Sequence, residues 1–282
     1  MRPGYADSDI ATIGRNIFRH EAVFTAMTNG GTSNDGTTTG SELQTLANPK
    51  WIRGHLNDVL VVDSRDALLV WEIPYYPQWY FPITDVFGEL RPTGRVEPTE
   101  NRGEETIFDL VVGDTTLSGA ARQYPESPGG VLDGRVRLDW GSLDNWLEEE
   151  VEVIVHPRSP FSRTDVLPST RHVQVFIDGN LVADSHSPTV LFETGLPTRY
   201  YLPPNDVRLD LLHPTGTHTG CPYKGIASYW SVTVGDTEYA DIVWGYPSPL
   251  PEATGVAGML CFFNEKVDIE VDGVAEPRPV SP

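Results

Sequence analysis

Residues 221–225, Cys-Pro-Tyr-Lys-Gly, put a thiol, a phenol and an amine within one turn of chain. Cys221 beside a cation could serve as a nucleophile, because a nearby ammonium lowers a thiol pKa. Lys224 could act as a base or form an imine if burial lowers its own pKa. Tyr223 could pass a proton. The same turn could instead be a packed corner, with Cys221 a small buried apolar residue and Lys224 a surface charge. Upstream, "FETGLPTRYYLPPND" over 192–206 adds Glu193, Arg199, Tyr200, Tyr201 and Asp206 between turns rich in Pro and Gly. An Arg fork suits a carboxylate or a phosphate. Downstream, Tyr229, Trp230, Trp244 and Tyr246 with Glu252 supply aromatic walls and a carboxylate, the composition of a small-molecule pocket, although aromatics at this density also build cores. His213, His218 and Cys221 form H-x4-H-x2-C, which would ligate a metal only if the loop folded back on itself. That spacing matches no standard zinc pattern, so neither a metal nor a cofactor is expected.

These groups belong to the second of two copies of one pattern. "VVDSRDALLVWEIPYYPQWYFPITDV" at 61–86 aligns with "VADSHSPTVLFETGLPTRYYLPPNDV" at 182–207 at a constant offset of 121, without a gap. Asp63 falls on Asp184, Glu72 on Glu193, Tyr80 on Tyr201 and Asp85 on Asp206. The match resumes one residue out of step, "FDLVVGD" at 108–114 on "WSVTVGD" at 230–236, and ends with "VEVIV" at 151–155 on "VDIEV" at 267–271. A period this long is a duplicated domain, not a solenoid repeat. Glu193, Tyr201 and Asp206 recur and are expected to serve the fold. Arg199 does not, since Gln78-Trp79 stands where Arg199-Tyr200 would. The first-half stretch aligned with the turn, "EPTENRGEETIF", has neither its cysteine nor its lysine, so the second half is expected to be the functional one and the first a degenerate copy.

Within each half the local signals are β. "HVQVFIDGNLVADS" reads as a hairpin in which Asp178 and Gly179 take positive φ. "YWSVTVGDTEYADIVWGY" alternates apolar and polar residues about Gly235-Asp236, a second hairpin. With 24 Pro and 26 Gly, long helices are not expected. The exception is residues 7–27, where Ile10, Ile13, Ile17 and Phe24 fall near helical spacing behind a capping Asp7 or Ser8. "NGGTSNDGTTTG" at 29–40 reads as a tether. The expected organisation is therefore a helix and tether over 1–47, β repeats over 48–160 and 171–275 joined by a linker at 156–171, and a tail at 276–282. The repeats are expected to pack on each other, with "WEIPYYPQWYF" at 71–81 as a wall or a pairing surface.

A net charge of −20, from 20 Lys+Arg against 40 Asp+Glu, argues against nucleic acid and anionic membranes. Two cysteines cannot make a disulfide framework, and no stretch approaches a membrane span. A cytoplasmic protein is expected.

"LFETGLPTRYYLPPNDV", "CPYKGIASYW", "WGYPSPLPE" and "KVDIEVDG", in that order, resemble the domain of unknown function 427, a family sometimes labelled as nucleotidyltransferase domains. The resemblance covers nearly all of the second half and the opening and closing thirds of the first. It implies an all-β architecture: two tandem copies of a small tent-like, twisted antiparallel fold, related to the zinc-bearing sheets of methionine sulfoxide reductase B. The zinc of those relatives needs two cysteine pairs, which this chain lacks. Neither a Gly-Ser phosphate loop nor an Asp-x-Asp pair supports nucleotidyl transfer.

The leading expectation is an enzyme doing acid–base chemistry of lyase, isomerase or hydrolase type on an apolar or aromatic metabolite in the second repeat. Lys224, Tyr223, Arg199, Glu252 and Cys221 would be catalytic, and Tyr200, Tyr229, Trp230, Trp244, Tyr246 and Glu193 would line the ligand site. The alternatives are a non-catalytic small-molecule-binding module and a structural interaction protein.

Overall fold

In the computed structural model residues 43–280 are described, and the helix and tether expected before residue 40 lie outside them. The described chain is built of antiparallel strands and short 3₁₀ turns. Among the described residues no helix is long and apolar enough to cross a membrane.

The first repeat runs through β1 (Thr45–Ala47), β2 (Ile52–Leu56), β3 (Val59–Ser64), β4 (Leu68–Val70), β5 (Gln78–Pro82), β6 (Glu89–Pro98), β7 (Glu104–Val112), β8 (Thr115–Gln123), β9 (Arg135–Leu138), β10 (Asn145–Glu148) and β11 (Val151–Val153). The second runs through β12 (Thr164–Pro168), β13 (Val173–Ile177), β14 (Asn180–Ser185), β15 (Thr189–Glu193), β16 (Arg199–Leu202), β17 (Leu212–Cys221), β18 (Gly225–Val234), β19 (Thr237–Gly245), β20 (Leu260–Phe262), β21 (Asp268–Val271) and β22 (Val274–Ala275). In the first, a seven-stranded sheet in the order β1-β4-β5-β9-β8-β7-β6 lies with a four-stranded sheet β11-β10-β2-β3. Adding eleven to each label gives the two sheets of the second repeat, β12-β15-β16-β20-β19-β18-β17 and β14-β13-β21-β22. The duplication therefore extends to topology.

Period-2 alternation builds each core. In β13, Val173, Val175 and Ile177 point inward while Gln174 and Phe176 are partly exposed, and the core they enter includes Val232, Val243, Leu202 and Phe262. In β2 the matching positions are Ile52, Gly54 and Leu56. A Cβ on Gly54 would lie 2.8 Å from Trp146, so only glycine lets that indole pack among Trp79, Phe81 and Trp140. The long edge strands β6 and β17 carry Pro92 and Pro214 next to irregular pairing, where a missing N–H costs the ladder little.

The stretch 156–171, read from sequence as linker, contains β12, which pairs with β15 from Thr164↔Glu193 to Pro168↔Thr189. The second repeat thus begins at Thr164 and the first at Thr45. What remains of the linker is the connector between β11 and β12, and it touches both repeats. The His156 ring stacks on Tyr76 at 4.2 Å and meets the edge of Tyr223 at 6.5 Å. Arg158 reaches Glu148 at 3.4 Å and Glu252 at 3.0 Å. Phe161 lies 5.4 Å from Trp71. Of the aromatic stretch 71–81, Trp71 and Tyr76 meet this connector, and Trp71, Trp79 and Phe81 belong to the first repeat's core.

Candidate functional site

On the face of the second repeat's large sheet turned away from its small one, Leu191, Tyr201, Trp244, Tyr246 and Cys261 form a second buried cluster roofed by the 3₁₀ turn Pro251–Val256. Lys224 enters this cluster from the Cys-Pro-Tyr-Lys-Gly turn, and its ammonium hydrogen-bonds to Glu193, with side-chain exposures of 11% and 10%. Gly225, at φ 100°, turns the chain so that β18 starts directly after the lysine. Burial alone would cost each ion several kcal/mol, and only the partner offsets this. The Tyr201 hydroxyl accepts from Trp244 Nε1 at 3.1 Å. Burial raises the Tyr201, Tyr246 and Cys261 pKa values, so all three stay protonated at neutral pH. The buried Cys261 is no nucleophile.

The alternation of β16 separates neighbours that look adjacent in sequence. Tyr201 belongs to the outer cluster, whereas Tyr200 enters the inner core, where its hydroxyl donates to Glu276 at 2.7 Å. Arg199 makes two hydrogen bonds to Glu265, at 2.6 and 2.7 Å, another to Asn264, and lies 5.3 Å over Trp244. Its fork is occupied. Tyr229 hydrogen-bonds to Thr219 at 2.8 Å and stacks with Phe263. Tyr223 and Glu252 are engaged elsewhere: the Tyr223 hydroxyl accepts from the Ser159 amide at 2.7 Å, and Glu252 pairs with Arg158. Cys221 is half-buried at the end of β17. The structure therefore brings together Lys224, Glu193, Trp244 and Tyr246, but not the full expected set. His213, His218 and Cys221 are strung along β17 and do not converge; among the described residues the group of three that does is His172, Asp184 and His186.

The first repeat corrects one expectation and supplies residues the sequence reading passes over. Arg102, directly before the positive-φ Gly103, stands where Lys224 precedes Gly225, and pairs with Glu72 at 3.6 Å. A cation is thus retained, although neither the cysteine nor the lysine is. Tyr80 and Tyr124 repeat Tyr201 and Tyr246, with ring centroids 5.6 Å and 6.4 Å apart respectively. Around them the first copy is the more polar. Arg137, which pairs with Tyr80 across β5–β9, stands where Cys261 pairs with Tyr201. Arg122 stands where Trp244 does, each lying beside the residue that neighbours it on the next strand. Arg137 holds Glu72 through two bonds of 2.9 and 3.0 Å, the Tyr80 hydroxyl donates to Glu72 at 2.8 Å, and Tyr124 donates to Glu105 at 2.8 Å. Arg122 and Arg137 both bond Asp139. Degenerate in sequence, the first copy carries a network of three cations and three carboxylates, and the second keeps a single buried ion pair, Lys224–Glu193, among mostly apolar neighbours.

One open cavity of about 400 Å³ lies at the end of the second repeat's large sheet. It is lined by Leu209, Leu212, Trp230, Tyr246, Met259 and Leu260 among others, with little polar surface. Tyr246 is shared: it belongs to the buried cluster and also lines this cavity.

No curated protein matches the chain. The sequence model of the family described as "Domain of unknown function (DUF427)" matches residues 44–149 and again residues 165–273, the two stretches that carry the two copies of the fold. The chain belongs to that family, as a tandem duplication.

Proposed function

We propose that the protein is a small-molecule-binding module whose second repeat takes a compact apolar or aromatic compound against Trp230, Tyr246, Met259 and Leu212. The observation that carries this reading is the open apolar cavity, of a size that suits a small ligand and with aromatic walls. Catalysis has weaker support. Lys224 is spent on Glu193, Arg199 on Glu265, and Tyr223 and Glu252 on the connector. One observation favours an acid–base enzyme as the second reading: Lys224, Glu193 and the protonated Tyr246 lie together behind the cavity wall.

The test is a thermal-shift screen of small aromatic and alicyclic compounds against wild type and Leu209→Arg, a change at an exposed position on the cavity rim. A true ligand present at a hundred times its Kd stabilises by about 2.7 kcal/mol, and the rim arginine should remove most of that shift. Recovery of the compound unchanged by mass spectrometry supports binding, and its conversion favours the enzyme. Equal shifts in both proteins would refute a site at this cavity.

A further inference from the structure

We propose that His172, Asp184 and His186, at one edge of the second repeat's small sheet, form a site for a late first-row divalent metal ion, zinc foremost. His172 immediately precedes β13, Asp184 lies in β14 and His186 just follows it, so paired strands hold all three. The two imidazoles stack at 4.0 Å and 15°, His172 Nε2 lies 2.7 Å from Asp184 Oδ1, and one ligand atom from each residue lies within 4.8 Å of the others. Two imidazoles and a carboxylate suit zinc, nickel or copper and are a poor match for magnesium or calcium, which prefer all-oxygen shells.

The surroundings are built to hold this arrangement. Gln174 Nε2 donates to the other carboxylate oxygen of Asp184 at 3.0 Å, which turns Oδ1 toward the histidines. The His172 amide donates to Asp272 Oδ1 at 2.9 Å, and the Asp272 amide returns a bond to the His172 carbonyl at 2.8 Å, fixing the backbone beneath the ring. Ligands about 2.1 Å from a tetrahedral zinc lie about 3.4 Å apart, so the widest separation must close by about 1.4 Å at most while the His172–Asp184 pair, 2.7 Å apart, opens by about 0.7 Å as the ion takes the place of their hydrogen bond. Asp184 and His186 are exposed, so side-chain rotation can supply that adjustment without moving the paired strands.

The first repeat acts as an internal control. Trp51 precedes β2 as His172 precedes β13, and its Nε1 donates to Asp63 at 2.5 Å, while Arg65 lies 4.9 Å over the indole ring. Trp51, Asp63 and Arg65 thus repeat the stacked geometry of His172, Asp184 and His186, but an indole and a guanidinium stand where the two imidazoles do, so only the carboxylate could ligate. The shape belongs to the fold, and the ligating chemistry belongs to the second copy.

The test uses the full chain and zinc ion itself, titrated in competition with a chromophoric chelator. One zinc per chain with micromolar affinity is expected, and cobalt in its place should give the visible absorption of a four-coordinate site. His172→Ala and His186→Ala should each weaken zinc at least tenfold, and Gln174→Ala about tenfold through the loosened carboxylate. His213→Ala and His218→Ala should leave the affinity unchanged. Asp184→Asn keeps the side-chain shape and should also weaken zinc, which guards against a variant that fails to fold, and melting without metal checks each protein. Wild-type affinity equal to that of the His172→Ala/His186→Ala double variant overturns the proposal, as does wild-type binding no tighter than about 0.1 mM.

Discussion

Replacing Lys224 by methionine keeps the stem and deletes the charge, leaving the Glu193 carboxylate buried. Among the described residues Lys224 is the one cation bonded to Glu193, at about a tenth exposure on either side. Breaking such a pair costs about 3–5 kcal/mol, because the remaining ion keeps its desolvation penalty. In a repeat of this size 1 kcal/mol moves the Tm by about 4 °C, so Lys224→Met should lower the second repeat's transition by about 12–20 °C. Lys224→Met/Glu193→Leu removes both charges at similar volume and should recover most of the loss. The four proteins form a double-mutant cycle whose coupling should be about 2 kcal/mol or more. Calorimetry is the assay, since two repeats with separate cores can melt in separate steps. Arg102→Met provides the control in the first repeat: Glu72 keeps both bonds from Arg137, so that change should cost less. A Lys224→Met loss below about 1 kcal/mol, the scale of an exposed pair, would refute the burial argument. It would also free Lys224 for chemistry and revive the acid–base reading.

Thiol titration of the native protein should modify Cys221 and leave the buried Cys261 unreacted until denaturant is added; early modification of both would contradict the described core. Burial raises the pKa values of Tyr80, Tyr201 and Tyr246, so above pH 10 the folded state holds protons that the unfolded chain releases, and stability should fall as pH rises. Absorbance near 295 nm should show these tyrosines ionising only with unfolding. Burial lowers the pKa of His156, so its contribution is present above about pH 6.5 and is lost on acidification; His156→Gln should flatten the fall in Tm between pH 7 and 5 relative to wild type. Tyr223→Phe removes the acceptor for the Ser159 amide and should speed tryptic cleavage after Arg158 and Arg163 several-fold, while unchanged cleavage would mean the connector is held by other contacts.

Much of the fold was legible because short-range chemistry determines it. Asp178 and Gly179 take φ 48° and 75°, and Gly235 takes 60°, at the two hairpins their sequences announce. The constant offset between 61–86 and 182–207 announced the duplication. What stayed hidden depends on the large sheets. The strand β12 is a sheet edge with a partly exposed face throughout, so its residues carry no alternation to distinguish them from a linker. Lys224 and Glu193 lie 31 residues apart and meet only through the sheet. The one-residue shift that sets Phe108 on Trp230 also sets Arg102 on Lys224 and Gly103 on Gly225, a correspondence lost when identity of residue type is the criterion. Arg137 and Arg122 have no like residues at Cys261 and Trp244, so the polarity of the first copy emerges only from strand pairing.

The connector explains why the Cys-Pro-Tyr-Lys-Gly turn occurs once. Two of its residues face opposite ways. Lys224 goes inward to Glu193, a role that Arg102 performs in the first copy, so this half of the motif belongs to the fold. Tyr223 goes outward, taking the Ser159 amide and the edge of His156, and a Cβ on Gly220 would lie 2.6 Å from Val155 in the same connector. The matching loop of the first repeat closes on itself instead, with Thr99 donating to the Gly103 carbonyl at 2.7 Å. The second copy's tyrosine is therefore held by the chain that precedes it, a contact for which the first copy's loop has no counterpart. Trp230, Met259 and Tyr246 neither pair ions nor hold the connector, and they line the open cavity.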